Sequence, residues 1–159
     1  MDLTTTIIKF RFEIFDAQTI PYDDDTFDFV HARAVHTGVR VPLCCIVSRH
    51  LSNFGKQIRD YPAFLREIAR VLRPGGMVIL AESEHKALTE NKQPIVSGTR
   101  GGAPGWHALW EQYRKCLVHR GVDVNVPTKL RTLLAATGAF EDITAQEALI
   151  PIGFWPKGM

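Results

Sequence analysis

The chain has little of what marks several protein classes. It holds three cysteines, the adjacent pair Cys44 and Cys45 and the distant Cys116, so neither a disulfide framework nor a metal site is expected. Its net charge is only +2 and no run of Lys and Arg forms a patch, so nucleic acid is not an expected partner. No apolar stretch reaches the roughly 18 residues of a membrane span, and the first residues lack the pattern of a signal peptide. These absences favour a cytoplasmic protein that has no membrane partner.

What the chain does contain is typical of one globular domain. It has 159 residues, of which 45% are apolar and 23% are charged. This length is enough to bury a core, and we expect a single domain over residues 1–159.

Two short strands are expected in the first part of the chain. Residues 11–15 (RFEIF) alternate charged and apolar side chains and end at Asp16, and residues 26–32 (TFDFVHA) are rich in aromatic and β-branched types. Between them, a proline followed by three consecutive aspartates at residues 21–25 predicts a solvated loop.

A helix and a buried strand follow. Residues 61–72 place apolar side chains on one helical stripe, and Asp60 is a suitable N-cap. Residues 73–76 (RPGG) are expected to end this helix in a tight turn. The continuous apolar run at residues 77–81 (MVILA) then predicts a strand covered on both faces. This order of elements indicates an α/β fold that has a mostly parallel sheet with flanking helices.

The last third of the chain predicts a loop, two helices and a strand. Residues 97–105 (SGTRGGAPG) form a Gly-rich loop that matches neither GxGxxG nor GxxxxGK[ST], so it is not expected to bind phosphate. Helices are expected at residues 106–118 and 127–137, the second ending at Gly138. Residues 140–150 are expected to form a further strand.

Several of these segments, in this order, resemble a class I S-adenosylmethionine-dependent methyltransferase. The resemblance is to the type 11-like methyltransferase domain, in a subgroup common in fungi, and it covers most of the chain from about residue 11 onward. The segments that carry it are Asp16-Ala17, residues 20–22 (IPY), 27–30 (FDFV), 64–76 (FLREIARVLRPGG), 130–140 with its TGAF end, and 150–156 (IPIGFWP).

The resemblance implies a partial Rossmann-like methyltransferase fold and a cofactor, S-adenosyl-L-methionine. It implies that the Asp16 carboxylate accepts a hydrogen bond from the adenine amino group, that the Ala17 backbone N–H meets a ring nitrogen, and that Ile20 covers the adenine. It places three further cofactor-binding residues beside the methionine end of the cofactor and the substrate: His31, Ala32 and Arg33.

Other interpretations of these residues stay open. Asp16 taken alone fits a simple turn cap. His31 is compatible with a general-base role but is equally an ordinary strand histidine, and methyl transfer often needs no dedicated base, so no catalytic residue is assigned. The methyl acceptor is expected to be a small molecule.

The chain departs from the family pattern in two places. The glycine loop after the first strand and the acidic residue on the second strand, which bind the cofactor in the family, have no counterpart here, so the first two strands are expected to be missing. Residues 39–57 interrupt the pattern as an insertion, which is either a retained, in-frame intron or a genuine lid loop or extra helix.

These departures support an alternative function. The chain is then a non-catalytic methyltransferase-derived fragment or interaction module that lacks half of the cofactor site and self-associates through an exposed sheet edge. A third hypothesis, a nicotinamide-dependent oxidoreductase, needs a GxGxxG turn, and this sequence has none.

Overall fold

The computed structural model describes residues 13, 15–37, 58–89, 91–94 and 104–150. Along the chain these residues form strand β1 (Phe27–Arg33), helix α1 (Tyr61–Val71), strand β2 (Leu72–Ala81), helix α2 (Pro104–His119) and helix α3 (Val126–Thr137). The expected insertion at 39–57 lies outside the described residues. So does most of the Gly-rich segment 97–105, but its last two residues, Pro104 and Gly105, already belong to α2.

Helix α1 forms as its sequence predicts. The Asp60 side chain accepts a hydrogen bond of 2.9 Å from the Ala63 N–H, which satisfies one of the free amide groups at the helix start. Its apolar stripe is buried, with Leu65 and Ile68 fully inaccessible to solvent. The helix ends at Val71 and continues directly into β2 at Leu72.

The two strands pair in parallel, as a strand–helix–strand unit requires. Phe27 pairs with Leu72 but Phe29 pairs with Met77, so residues 73–76 form an irregularity within β2 and not a turn ahead of the strand. Glycine is needed there because Gly75 has a φ of +79° and a Cβ on Gly76 would lie 2.9 Å from the Arg73 carbonyl oxygen.

The core lies on one face of this sheet, between the strands, α1 and α3. Half-buried Val30, Val78 and Leu80 and the buried Ala32 face α1. None of the described residues covers the opposite face: Phe29, Met77 and Ile79 are 48%, 58% and 45% exposed. The prediction that residues 77–81 are covered on both faces was therefore wrong, because a continuous apolar run does not specify which of its faces finds a partner.

The predicted helices are confirmed and the predicted last strand is not. Helix α3 ends at Gly138, which adopts the left-handed conformation with a φ of +67°. Residues 140–150 form no strand and are mostly exposed, since no described strand lies beside them. Glu13 and Phe15, the two described residues of the segment predicted as the first strand, also lie outside regular structure.

The described residues thus form a parallel two-stranded sheet with flanking helices, which confirms the expected partial Rossmann-like α/β fold. None of the described helices is long and apolar enough to cross a membrane.

Candidate functional site

A polar cluster lies where both strands end. Because β1 and β2 are parallel, their carboxyl ends meet at one edge of the sheet, the edge at which open α/β sheets bind ligands. The Ala34 N–H donates to the Ala81 carbonyl oxygen at 2.8 Å and holds the two chain exits together. His36 follows the first exit and Glu82 the second, so the topology brings together residues that are 46 positions apart in sequence.

Glu82 is the centre of this cluster. Its Oε1 accepts hydrogen bonds from the Val35 N–H, the His36 N–H and the Tyr61 hydroxyl at 3.1, 3.3 and 3.1 Å, and its Oε2 lies 2.6 Å from His36 Nδ1. The side chains of His36 and Glu82 are 1% and 0% exposed. A carboxylate that is hidden from water needs such partners, and here they fasten the segment after β1 to the end of β2 and the start of α1.

These contacts define the donors and acceptors of the cluster. Glu82 Oε2 accepts a hydrogen bond from the Nδ1–H tautomer of His36. Burial, followed by the neighbouring Glu82 charge and its hydrogen bond, raises the pKa of the Tyr61 hydroxyl far above its ordinary value. Tyr61 therefore remains a donor to Glu82 at any physiological pH.

His85 adjoins this cluster and is half-buried. Its ring centroid lies 6.1 Å from that of His36, 4.9 Å from that of Trp110 and 5.1 Å from that of Tyr113, both on α2. Burial, then the charges of His36 and Arg114, lowers the pKa of His85, although Glu82 opposes the shift. His85 is accordingly a neutral imidazole at pH 7, able to accept a proton.

The predicted adenine-binding residues form a turn beside α1. Asp16 Oδ1 accepts from the Gln18 N–H at 3.1 Å, and the Asp16 carbonyl oxygen accepts from the Thr19 N–H at 2.9 Å. Asp16 thus caps a turn, as the simpler interpretation of this residue had it. The Ala17 N–H has no acceptor among the described residues, and the Gln18 side chain reaches the Asp60 carbonyl oxygen at 3.5 Å. The turn therefore borders the same end of α1 that carries Tyr61.

Ile20, predicted to cover the adenine, is half-buried and held by its backbone. Its N–H donates to Glu67 Oε2 at 3.1 Å, and its carbonyl oxygen accepts from Arg70 at 2.9 Å. Both partners lie on α1, so this helix positions the loop that follows Asp16.

The three predicted residues of β1 do not act as one group of side chains. His31 is exposed on the uncovered sheet face, where its ring stacks 6.4 Å from Phe29. Ala32 points the other way, into the core, and Arg33 is exposed at the strand end. Cofactor contact by these three residues stays a prediction.

Sequence reasoning missed the cluster formed by Tyr61, Glu82 and His36, and the adjoining His85. One local signal was present, since Glu82 directly follows an apolar strand of a parallel sheet and so had to lie at its carboxyl end. The identity of its partners depends on tertiary contacts. Among the described residues, no group of three or more His, Cys, Asp or Glu side chains could hold a metal ion.

Comparison with known proteins shows similarity to methyltransferases. The family described as "Methyltransferase domain" matches residues 3–80. The "Secondary metabolism regulator laeA" of Coprinopsis cinerea is 29% identical over 127 residues, which covers 79% of this chain and 27% of that protein.

Bacterial enzymes match a shorter stretch of the chain than the fungal protein does. Demethylmenaquinone methyltransferases of Staphylococcus epidermidis and Halalkalibacterium halodurans are 33% and 35% identical over 78 residues, covering 49% of this chain and 24% of each enzyme. The chain thus spans about a quarter of the length of these curated relatives. No solved structure gives a significant match.

Proposed function

Because residues 3–80 match the family described as "Methyltransferase domain", we propose that this chain takes part in methyl transfer from S-adenosylmethionine to a small-molecule acceptor. One observation carries the proposal beyond the family match. The turn at Asp16 and the cluster around Glu82 both border the start of α1, one through Asp60 and the other through Tyr61. The turn predicted to bind the cofactor and the polar cluster thus both lie beside the start of one helix.

The residues of the turn suit the adenine end of the cofactor. The Asp16 carboxylate is an acceptor, which the adenine amino group needs, and the Ala17 N–H is a donor without a partner among the described residues. Bound there, the cofactor supplies an electrophilic methyl group on a sulfonium. Asp16, Ala17 and the apolar side chain of Ile20 hold the base end, while the residues that follow β1 lie toward the acceptor.

Among the described residues, His85 is the group best placed to accept a proton from the acceptor. Its lowered pKa keeps it neutral, and the buried pair of His36 and Glu82 fixes the segment against which it packs. For an O–H or N–H acceptor, the methyl group replaces the hydrogen, and that proton passes to the His85 imidazole. An acceptor whose nucleophilic atom carries no hydrogen releases no proton on methylation and does not need His85.

A small-molecule acceptor fits the composition and the relatives. The net charge of +2 gives no attraction for nucleic acid, and the rings of Trp110 and Tyr113 beside His85 offer an apolar wall. Two of the relatives are named for a small molecule, demethylmenaquinone.

Transfer of a labelled methyl group tests the proposal. The 159-residue chain is incubated with methyl-labelled S-adenosylmethionine and a panel of phenol, thiol, amine and quinone-derived acceptors. We expect labelled product with at least one acceptor, and its loss in Asp16→Ala but not in Asp23→Ala, an exposed aspartate of the same loop. Absence of transfer to every acceptor by the folded chain would contradict it.

A second candidate function is favoured by one observation, the uncovered face of the sheet. A parallel sheet is ordinarily covered on both faces, whereas Phe29, Met77 and Ile79 are exposed here. A non-catalytic module that associates through this part of the sheet would show self-association or partner binding without affinity for the cofactor, so cofactor binding separates the two candidates.

A further inference from the structure

The loop after Asp16 is held by an ion pair on α1. Glu67 and Arg70 lie three residues apart on this helix, and their side chains are joined by hydrogen bonds of 3.2 and 2.9 Å. The hydrogen bonds from Arg70 are the largest cause that lowers the pKa of Glu67, so the pair is ionised at neutral pH. We call the pair of Glu67 and Arg70 the loop clamp.

Every N–H of the Arg70 guanidinium is used. Besides Glu67, it donates to the carbonyl oxygens of Ile20 and Tyr22 at 2.9 and 2.8 Å and to Asp24 Oδ1 at 2.8 Å. Five donors in a planar fork therefore meet five acceptors, three of them on the loop. Glu67 completes the clamp by accepting from the Ile20 N–H, so both backbone groups of Ile20 are held.

This arrangement reaches beyond the helix that carries it. The side chains of Glu67 and Arg70 are 23% and 31% exposed and that of Asp24 is 73% exposed, so the guanidinium joins a partly buried pair on α1 to an exposed side chain of the loop. What the clamp does fix is the path of residues 20–24, directly after the turn formed by Asp16 and Ala17. A loop that only connected two elements would not need two of its carbonyl groups, those of Ile20 and Tyr22, aimed at one guanidinium.

We propose that the loop clamp is a positioning device for recognition of the adenine base, and this rests on the proposed function. By fixing Ile20 it sets the distance between the side chain that covers the base and the Asp16 carboxylate that reads its amino group. Lysine cannot replace Arg70 here, because an ammonium group has no planar fork with which to hold Ile20, Tyr22 and Glu67 together.

The test compares two nucleosides that differ at the group that Asp16 reads. S-adenosylhomocysteine carries the adenine amino group, and S-inosylhomocysteine carries an oxygen in its place. Calorimetric titration of the 159-residue chain with each compound gives their ratio of dissociation constants. We expect the unsubstituted chain to prefer the adenine compound about tenfold, the value of one well-made hydrogen bond.

Arg70→Lys is expected to reduce this preference to less than about threefold, and Arg66→Lys, an exposed arginine on the same helix, to leave it unchanged. Asp24→Asn is a milder change because it alters only one loop acceptor of Arg70, and it is expected to reduce the preference by a smaller factor. Circular dichroism establishes that each variant is folded.

The outcomes separate the clamp from the proposed function. A full preference for adenine in both Arg70→Lys and Asp24→Asn would overturn the positioning role while leaving the function intact. If Arg70→Lys weakened the binding of both nucleosides equally and kept the ratio of their dissociation constants, the positioning role would also be overturned. A clamp that only stabilises the fold would have this effect. Absence of binding by the unsubstituted chain would remove the proposed function itself.

Discussion

Glu82 holds the carboxyl edge of the sheet together through a single buried carboxylate. Glu82→Gln keeps the shape but turns one acceptor into a donor that faces His36 Nδ1, so that hydrogen bond is kept only if the histidine changes tautomer. We expect a loss of about 1–3 kcal/mol in the free energy of unfolding, as for other buried hydrogen-bond partners, measured by urea denaturation. Glu84→Gln, an exposed change two residues away, is the control. Equal stability of the two variants would show that Glu82 does not carry the cluster.

His85 gives the protein a dependence on pH. Its folded pKa lies below the ordinary value near ~6.5, so the unfolded chain binds a proton that the folded chain does not. Stability is therefore complete above about pH 6.5 and decreases as the pH falls from there toward the folded pKa. Urea denaturation at a series of pH values should show this decrease, and His85→Asn should reduce it. An identical pH profile in the variant would contradict the assignment.

At the residue scale, the sequence predicted polar side chains that bond to the nearby backbone better than those that bond to distant side chains. The Asp60 cap and the Asp16 turn follow from short-range chemistry, since each side chain meets a backbone N–H two or three residues away. The pairing of His36 with Glu82 joins residues from two strand ends, and no local pattern specifies it.

Among the elements, strand β2 requires glycine at position 76, within the irregularity formed by residues 73–76. A Cβ on Gly76 would lie 2.9 Å from the Arg73 oxygen and 3.1 Å from the Asp28 oxygen, both backbone atoms, whereas one on Gly105 in α2 meets nothing within 4 Å. We expect Gly76→Ala to lower the free energy of unfolding by about 1–3 kcal/mol and Gly105→Ala to leave it unchanged or raise it slightly. Thermal unfolding measures both, and a neutral Gly76→Ala would contradict this account of the strand.

The elements also show what a sequence pattern can and cannot specify. Helices α1 and α3 were predicted to within a residue or two because caps and apolar stripes are local signals. The strand predicted over residues 140–150 was wrong because a strand needs a neighbour, and none of the described strands lies next to it. Pattern gives the tendency of a segment, and tertiary pairing decides its structure.

For the whole molecule, the uncovered sheet face predicts self-association. Phe29, Met77 and Ile79 form an apolar surface that water does not favour, and another copy of the chain can cover it. We expect Ile79→Lys to shift the chain toward monomer in sedimentation velocity measurements. Leu149→Lys, which removes an exposed apolar side chain outside the sheet, is the matched control. A monomeric unsubstituted chain would contradict the prediction.

Binding of S-adenosylhomocysteine is the most direct test of the central claim, that the turn at Asp16 and the carboxyl edge of the sheet still form a cofactor site in this chain. It is measured by calorimetric titration once circular dichroism has shown that the 159-residue chain is folded. The account predicts saturable binding at one site per chain, weakened about tenfold or more by Asp16→Ala. A folded chain that gives only heats of dilution would contradict it.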